Sequence, residues 1–157
     1  MPRILFVCTG NICRSPAAEA LLKDRLERNG LTGWEVESAG TWTVDGRSAS
    51  RYVVQVLAER GLDLRQHQSR TVNHRMVKRA DLVLAMTQNH AEALRLEFPD
   101  QADKIYLLSQ MKDSRHYDVD DPYGGTLMEY QACVNELTDL IDVGFDRIRS
   151  LAEKRVR

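Results

Sequence analysis

Long apolar runs, a surplus of either charge and a cysteine framework are all missing from this sequence, and each gap removes a class of protein. No stretch approaches the roughly 18 consecutive apolar residues of a membrane-spanning helix, which argues against a membrane partner. The 22 basic and 23 acidic residues leave a formal net charge of -1. That balance lacks the basic excess that binding to a phosphate backbone demands, so no nucleic-acid partner is expected. The cations Arg75, Lys78 and Arg79 read as a solvated helix face rather than a binding stripe. Three cysteines are an odd number and too few for a disulfide scaffold. The opening MPRILFVCTG has too short an apolar core, and no small-residue cleavage site, for a secretory leader. A reducing cytoplasm is the expected compartment.

What is present is an ordinary globular composition, 43% apolar and 29% charged over 157 residues. Such a chain can bury one sizeable core, so a single domain over 1–157 is expected. Arg3–Cys8 (RILFVC) is a short continuous apolar run, the pattern of a strand buried on both faces. Pro16 suits the start of a helix, because its missing N–H would have no partner there. Ala17–Arg28 is rich in helix formers and Asn29-Gly30 supplies the stop. Trp34–Ala39 alternates as a strand, and Ser48–Arg60 reads as a helix stopped by Gly61. A shorter helix near Val72–Arg79 precedes a buried strand at Asp81–Met86. Thr87 is placed to cap a helix running to Phe98, where Pro99 ends it. Ile105–Leu108 is the fourth strand, and Ser109–Gly125 a long polar loop of the kind that more often serves function than connection. Leu127 to about Ala152 is a terminal helix with Gly144 as its weak point and Cys133 in its core face.

Strands alternating with helices predict an α/β fold of three layers: a four-stranded parallel sheet with helices on both faces, in the flavodoxin-like or Rossmann-like manner. Ligands in such sheets sit beyond the carboxyl ends of the strands, near a switch in strand order. The loop after the first strand is therefore the place to look. It reads Cys8-Thr9-Gly10-Asn11-Ile12-Cys13-Arg14-Ser15. A tight loop at a helix N-terminus can aim several backbone N–H groups inward as an anion nest. Arg14 adds a planar fork for two phosphate oxygens, and the same positive field favours a thiolate, the reactive form, at Cys8. A bare C-x5-R would more simply be an inert core cysteine and a surface arginine. The buried strand before it and Ser15-Pro16 with a helix after it favour the functional reading.

The full string VCTGNICRSP resembles the low-molecular-weight protein tyrosine phosphatases. The resemblance continues at VESAG (36–40), His67, ADLVLAM (80–86) and Asp121-Pro122-Tyr123-Gly124, in order along nearly the whole chain. It implies a four-stranded parallel sheet, no metal and no organic cofactor, and hydrolysis through a phosphocysteine intermediate. Cys8 is then the nucleophile, Arg14 the phosphate clamp and Asp121, directly before Pro122, the acid that protonates the leaving oxygen and later activates water. Without the loop at Cys8, Asp120-Asp121-Pro122 would read only as a turn. Thr9, Gly10, Asn11, Ile12, Cys13 and Ser15 form the phosphate-binding loop. Ser15 is placed to donate to the Cys8 sulfur or to cap the helix, and Asn11, Ser38 and His67 to brace the loop. Relatives with a second loop cysteine form a reversible disulfide with the nucleophile, so Cys13 is expected to confer redox sensitivity.

Ile12, Trp42 and Tyr123 are candidates for the substrate rim. Ile12 stands where arginine-directed members of the family carry threonine, whereas Thr9 replaces the bulkier apolar residue of many tyrosine-directed ones. The expected partners are phosphorylated proteins, phosphotyrosine favoured and phosphoarginine the alternative, with inorganic phosphate and oxyanion analogues as small ligands. The fold and loop also resemble thioredoxin-linked arsenate reductases, but beyond Cys13 only Cys133 remains for their disulfide relay. No Gly-Lys-Ser/Thr follows the loop's glycine, which excludes a nucleotide P-loop. Two non-hydrolytic readings stay beside these. A phosphopeptide-binding module would lack Cys8 or Asp121, and a phosphocysteine carrier of the sugar-uptake type would not require Asp121-Pro122.

Overall fold

The computed structural model describes residues 1–113 and 115–156; Ser114, inside the expected long loop, and Arg157 lie outside them. Its strands are β1 (Arg3–Cys8), β2 (Glu35–Gly40), β3 (Leu82–Ala85) and β4 (Ile105–Leu107), and its helices are α1 (Arg14–Arg28), α2 (Arg51–Glu59), α3 (His74–Arg79), α4 (Gln88–Glu97), α5 (Ser109–Lys112) and α6 (Leu127–Lys154). The strands form one parallel sheet in the order β2-β1-β3-β4. β1 is thus central, and the order reverses between it and β3, as the ligand rule for such sheets requires.

Every residue of β1 after Arg3 is buried. The period of two sends Ile4, Phe6 and Cys8 into a core shared with α1, α2, α5 and α6. Leu5 and Val7 enter a second core with α3 and α4. This two-sided cover is the expected three-layer arrangement. Among the described residues no helix is long and apolar enough to cross a membrane.

The boundaries depart from the sequence reading where tertiary contacts intervene. α1 begins at Arg14 rather than at Pro16, so Ser15 lies inside the first turn and does not cap it. α2 begins at Arg51 rather than Ser48, after an extended Ser50 (φ -61°, ψ 147°) whose N–H donates to the Ile12 carbonyl at 2.8 Å. Pro99 does end α4, yet it opens a 3₁₀ turn (Pro99–Lys104) instead of a coil. α5 interrupts the expected long loop. α3 starts after Asn73, whose side chain accepts from the Met76 N–H, and Thr87 caps α4 through the His90 N–H as expected.

Gly144 is not a weak point. α6 runs unbroken past it, and a Cβ there would stand 2.6 Å from Cβ of Met111. A helical glycine costs about 1 kcal/mol relative to alanine, but overpacking costs roughly 1–3 kcal/mol. The glycine is what lets α5 lie against α6.

Candidate active site

The candidate phosphate-binding loop, residues 8–15, crosses from the end of β1 to the start of α1. Asn11 holds it in shape with φ of 56°, in the left-handed region that asparagine tolerates better than most residues. Its side chain is spent in full. Oδ1 accepts from the Arg70 N–H at 2.9 Å, while Nδ2 donates to Ser15 Oγ at 2.8 Å and to Ser38 Oγ at 2.9 Å. Ser38 in turn donates to Glu19 Oε1 at 2.6 Å. His67 Nε2 lies 2.6 Å from the Asn11 carbonyl, which only accepts, so the ring donates there and serves as a brace.

These directions decide the one that matters at the cysteine. Ser15 Oγ lies 3.0 Å from Cys8 Sγ. Its other partner among the described residues is Asn11 Nδ2, a donor only, which leaves the serine proton for the sulfur.

Gly40 ends β2 opposite Cys8. A Cβ there would come within 2.4 Å of the Thr9 carbonyl. The close approach lets Thr41 N–H reach the Cys8 carbonyl at 2.8 Å and Trp42 N–H reach the Thr9 carbonyl at 3.1 Å. Thr43 Oγ1 adds a bond to the Gly10 carbonyl at 2.8 Å. The loop that carries Trp42 is thereby laid along the 8–15 loop.

Arg14 is 4% exposed and ties the far loop to this one. Its Nη1 donates to the Val119 carbonyl at 2.9 Å, while the Val119 N–H donates to the Met86 carbonyl beyond β3 at 2.9 Å. Arg14 Nη2 stands 3.5 Å from Asp121 Oδ2. Arg14 Nε is buried without a hydrogen-bond partner among the described residues. An unpaired charged donor is costly in such a place, and an oxyanion in the loop would supply its acceptor.

Cys8, Thr9, Gly10, Ile12, Cys13, Arg14, Trp42, Arg47, Asp121 and Tyr123 line a pocket of about 250 Å³. Ile12 is buried in its wall, whereas Trp42 and Tyr123 are 85% and 60% exposed at its mouth. Asp121 lines both this pocket and a neighbouring cleft, whereas Asp120 lines only the cleft, with Glu129, Cys133 and Glu136. Cys13 Sγ is 3.2 Å from Ser50 Oγ and 3.5 Å from Tyr130 Oη, and burial pushes its thiol up from the ordinary value. Cys133 is buried in α6, where burial pushes its thiol up to about 12. Among the described residues no group of three or more His, Cys, Asp or Glu is placed to hold a metal ion.

The structure thus gathers every expected loop, acid and rim residue in or around one pocket. It adds Glu19, Arg47, His90 and Val119, which sequence reasoning missed. Glu19 looked like an ordinary helix former and Arg47 like an ordinary loop cation. For His90 a signal did exist, a histidine three residues after the capping Thr87. Its Nε2 lies 2.7 Å from Thr9 Oγ1, 81 positions away in sequence.

His90 is 6% exposed, and its Nδ1 has no partner among the described residues. Burial first, then the charge of Arg14, lowers its ionisation to about 4. The unfolded chain takes up this proton below about pH 6.5, the folded protein only below about 4. The resulting stability is complete above the higher value and is lost as pH falls through this window, by about 3 kcal/mol. His90→Gln keeps a hydrogen-bonding side chain without the titration. Urea unfolding of the variant should show a flatter pH dependence between about 6.5 and 4 than the parent; equal slopes would assign the effect to other groups.

A family model described as low molecular weight phosphotyrosine protein phosphatase matches residues 3–155. The chain belongs to this family of phosphatases. It is similar to a protein-arginine-phosphatase of Geobacillus stearothermophilus, at 42% identity over 89% of this chain and 91% of the relative. It is also similar to a probable low molecular weight protein-tyrosine-phosphatase of Ralstonia solanacearum, at 34% identity over 94% of this chain and 97% of the relative. Among solved structures, the YwlE arginine phosphatase in a cysteine-to-serine mutant with a phosphorylated active-site serine superposes with a TM-score of 0.89. It is 36% identical, over 94% of this chain and 95% of that one.

Proposed function

We propose that this phosphatase acts in the cytoplasm on phosphotyrosine in proteins, with Cys8 as nucleophile, Arg14 as phosphate clamp and Asp121 as general acid and base. The Cys8 thiolate attacks phosphorus, an S–P bond forms and the P–O bond to the phenol breaks. Asp121 gives its proton to the departing oxygen. Water then attacks the phosphocysteine, Asp121 takes a proton back, and the S–P bond breaks to release phosphate and the thiolate. Backbone N–H groups and the Arg14 fork hold the phosphoryl oxygens throughout. The relative whose mutated cysteine position holds a phosphorylated serine supports the covalent step. Cys13, which lines the same pocket as Cys8, belongs to the same reading as the thiol that traps an oxidised Cys8 before it advances to irreversible states.

The observation that carries the substrate is the pocket wall. Buried Ile12 with Trp42 and Tyr123 at the mouth offers apolar and aromatic surface to a phenyl ring. Ile12 has no hydrogen-bonding group for a guanidinium, whose donors would lose water on entry without replacement. Phosphoserine has too short a stem to reach this rim. Hydrolysis of phosphoarginine is the second reading, favoured by the 42% identity to a protein-arginine-phosphatase and by the hydroxyl of Thr9, bonded to His90, in the pocket lining.

The test is the ratio of kcat/KM for phosphotyrosine and phosphoarginine in peptides of one sequence. The parent protein should prefer phosphotyrosine, and Ile12→Thr should move the ratio toward phosphoarginine by roughly tenfold, the size of one apolar group in a specificity pocket. A parent preference for phosphoarginine would replace the first reading by the second.

A further inference from the structure

We infer that Arg47 is a specificity residue, which selects phosphopeptides carrying Asp or Glu within one or two positions of the phosphorylated residue. This inference rests on the phosphotyrosine reading above.

Arg47 lines the pocket on the same loop as Trp42, and its side chain is exposed. Its backbone is held at both ends by Ser69, a buried residue. The Arg47 N–H donates to Ser69 Oγ at 2.9 Å, and the Ser69 N–H donates to the Arg47 carbonyl at 2.8 Å. Ser69 Oγ also donates to the Val44 carbonyl at 2.6 Å, and its own carbonyl accepts from the Gly46 N–H at 2.9 Å. This loop is therefore fastened to Ser69, and the position of the Arg47 Cα at the mouth is fixed.

The guanidinium has no such engagement. Among the described residues Arg47 takes part in no ion pair, whereas Arg3, Arg14, Arg25, Arg28 and Arg65 each face a carboxylate. The nearest acid in sequence, Asp45, is turned to another use, with its Oδ1 accepting from the Thr71 N–H at 2.8 Å. Nor is Arg47 needed to neutralise the phosphoryl group, since Arg14 is already buried in the loop itself. What remains is an uncompensated cation on an anchored stem, facing the space that residues beside the phosphorylated side chain must cross. An acidic flank would pair with it, and a basic flank would be repelled.

The experiment compares three phosphotyrosine peptides that differ only in the residues on both sides of the phosphorylated one: Glu, Gln or Lys. The parent protein should order them Glu, Gln, Lys in kcat/KM, with about a threefold to fivefold step between neighbours, the scale of a partly exposed ion pair. The steps should shrink as salt is raised. Arg47→Gln should flatten the series and Arg47→Glu should invert it, an outcome that a purely structural role for Arg47 would not give. Equal rates for the three peptides in the parent protein, or an unchanged series in Arg47→Glu, would overturn the inference and leave the phosphotyrosine reading standing. Failure to hydrolyse any of the three would overturn both.

Discussion

Cys8→Ser is expected to lose multiple turnover almost completely while the protein still binds vanadate or inorganic phosphate. A neutral alcohol replaces the sulfur that the Ser15 hydroxyl is directed toward at 3.0 Å, and removing a covalent nucleophile costs on the order of 10⁶-fold in a well-studied hydrolase. Binding should survive because the loop N–H groups and Arg14 are untouched. Arg14→Ala separates the two functions from the other side. It removes the fork, and it also releases the Val119 carbonyl and thus the tether of the acid loop, so both binding and turnover should fall. Arg14→Lys keeps the charge without the fork and should recover binding only in part. Steady-state turnover of an aryl phosphate, together with calorimetric binding of vanadate, reads both quantities. Robust multiple turnover by Cys8→Ser would rule out the phosphocysteine route.

The central strand and its loop were legible in sequence because their signals are local. An apolar run ends at Cys8, turn residues follow, and Arg14 and Pro16 mark a helix entrance. Four parallel strands between helices followed from the same periodicities. What could not be read depends on partners distant along the chain. Of the two roles open to Ser15, donor to the Cys8 sulfur and helix cap, the bonds to Asn11 and Cys8 leave only the first. Gly144 looks like a defect in α6 until Met111 of α5 is seen against it. α2 starts three residues later than its pattern suggests, after an extended Ser50 bonded to the loop. Glu19 ends a chain of bonds through Ser38 and Asn11 that no helix pattern announces.

The tethers around Val119 explain how a long loop can deliver an acid to a fixed point. Val119 is fully buried, and its two backbone groups join the end of β3 to Arg14. Asp118 adds a bond from its Oδ1 to the Gln88 N–H at 2.8 Å. Two residues after Val119 the chain reaches Asp121, 3.5 Å from Arg14.

Asp121→Asn is therefore expected to slow phosphotyrosine hydrolysis by about 10²–10⁴-fold, the usual contribution of a general acid. The loss should be much smaller for esters of strongly acidic alcohols. A tyrosine phenol, with an ionisation near 10, departs poorly without a proton, whereas an acidic leaving group needs none. Asparagine keeps an oxygen for the Tyr123 N–H, which Asp121 Oδ1 now accepts at 3.1 Å, so the turn should stay in place. It also removes a negative charge 3.5 Å from Arg14, and oxyanions should bind the variant at least as tightly as the parent. A rise in affinity beside a fall in turnover would distinguish a lost acid from a damaged loop. Asp120→Asn is the control, because Asp120 lines the adjoining cleft and not the pocket. If Asp121→Asn slowed every ester equally, the proton donor would have to be sought elsewhere. If Asp120→Asn alone showed the leaving-group dependence, the acid would be Asp120.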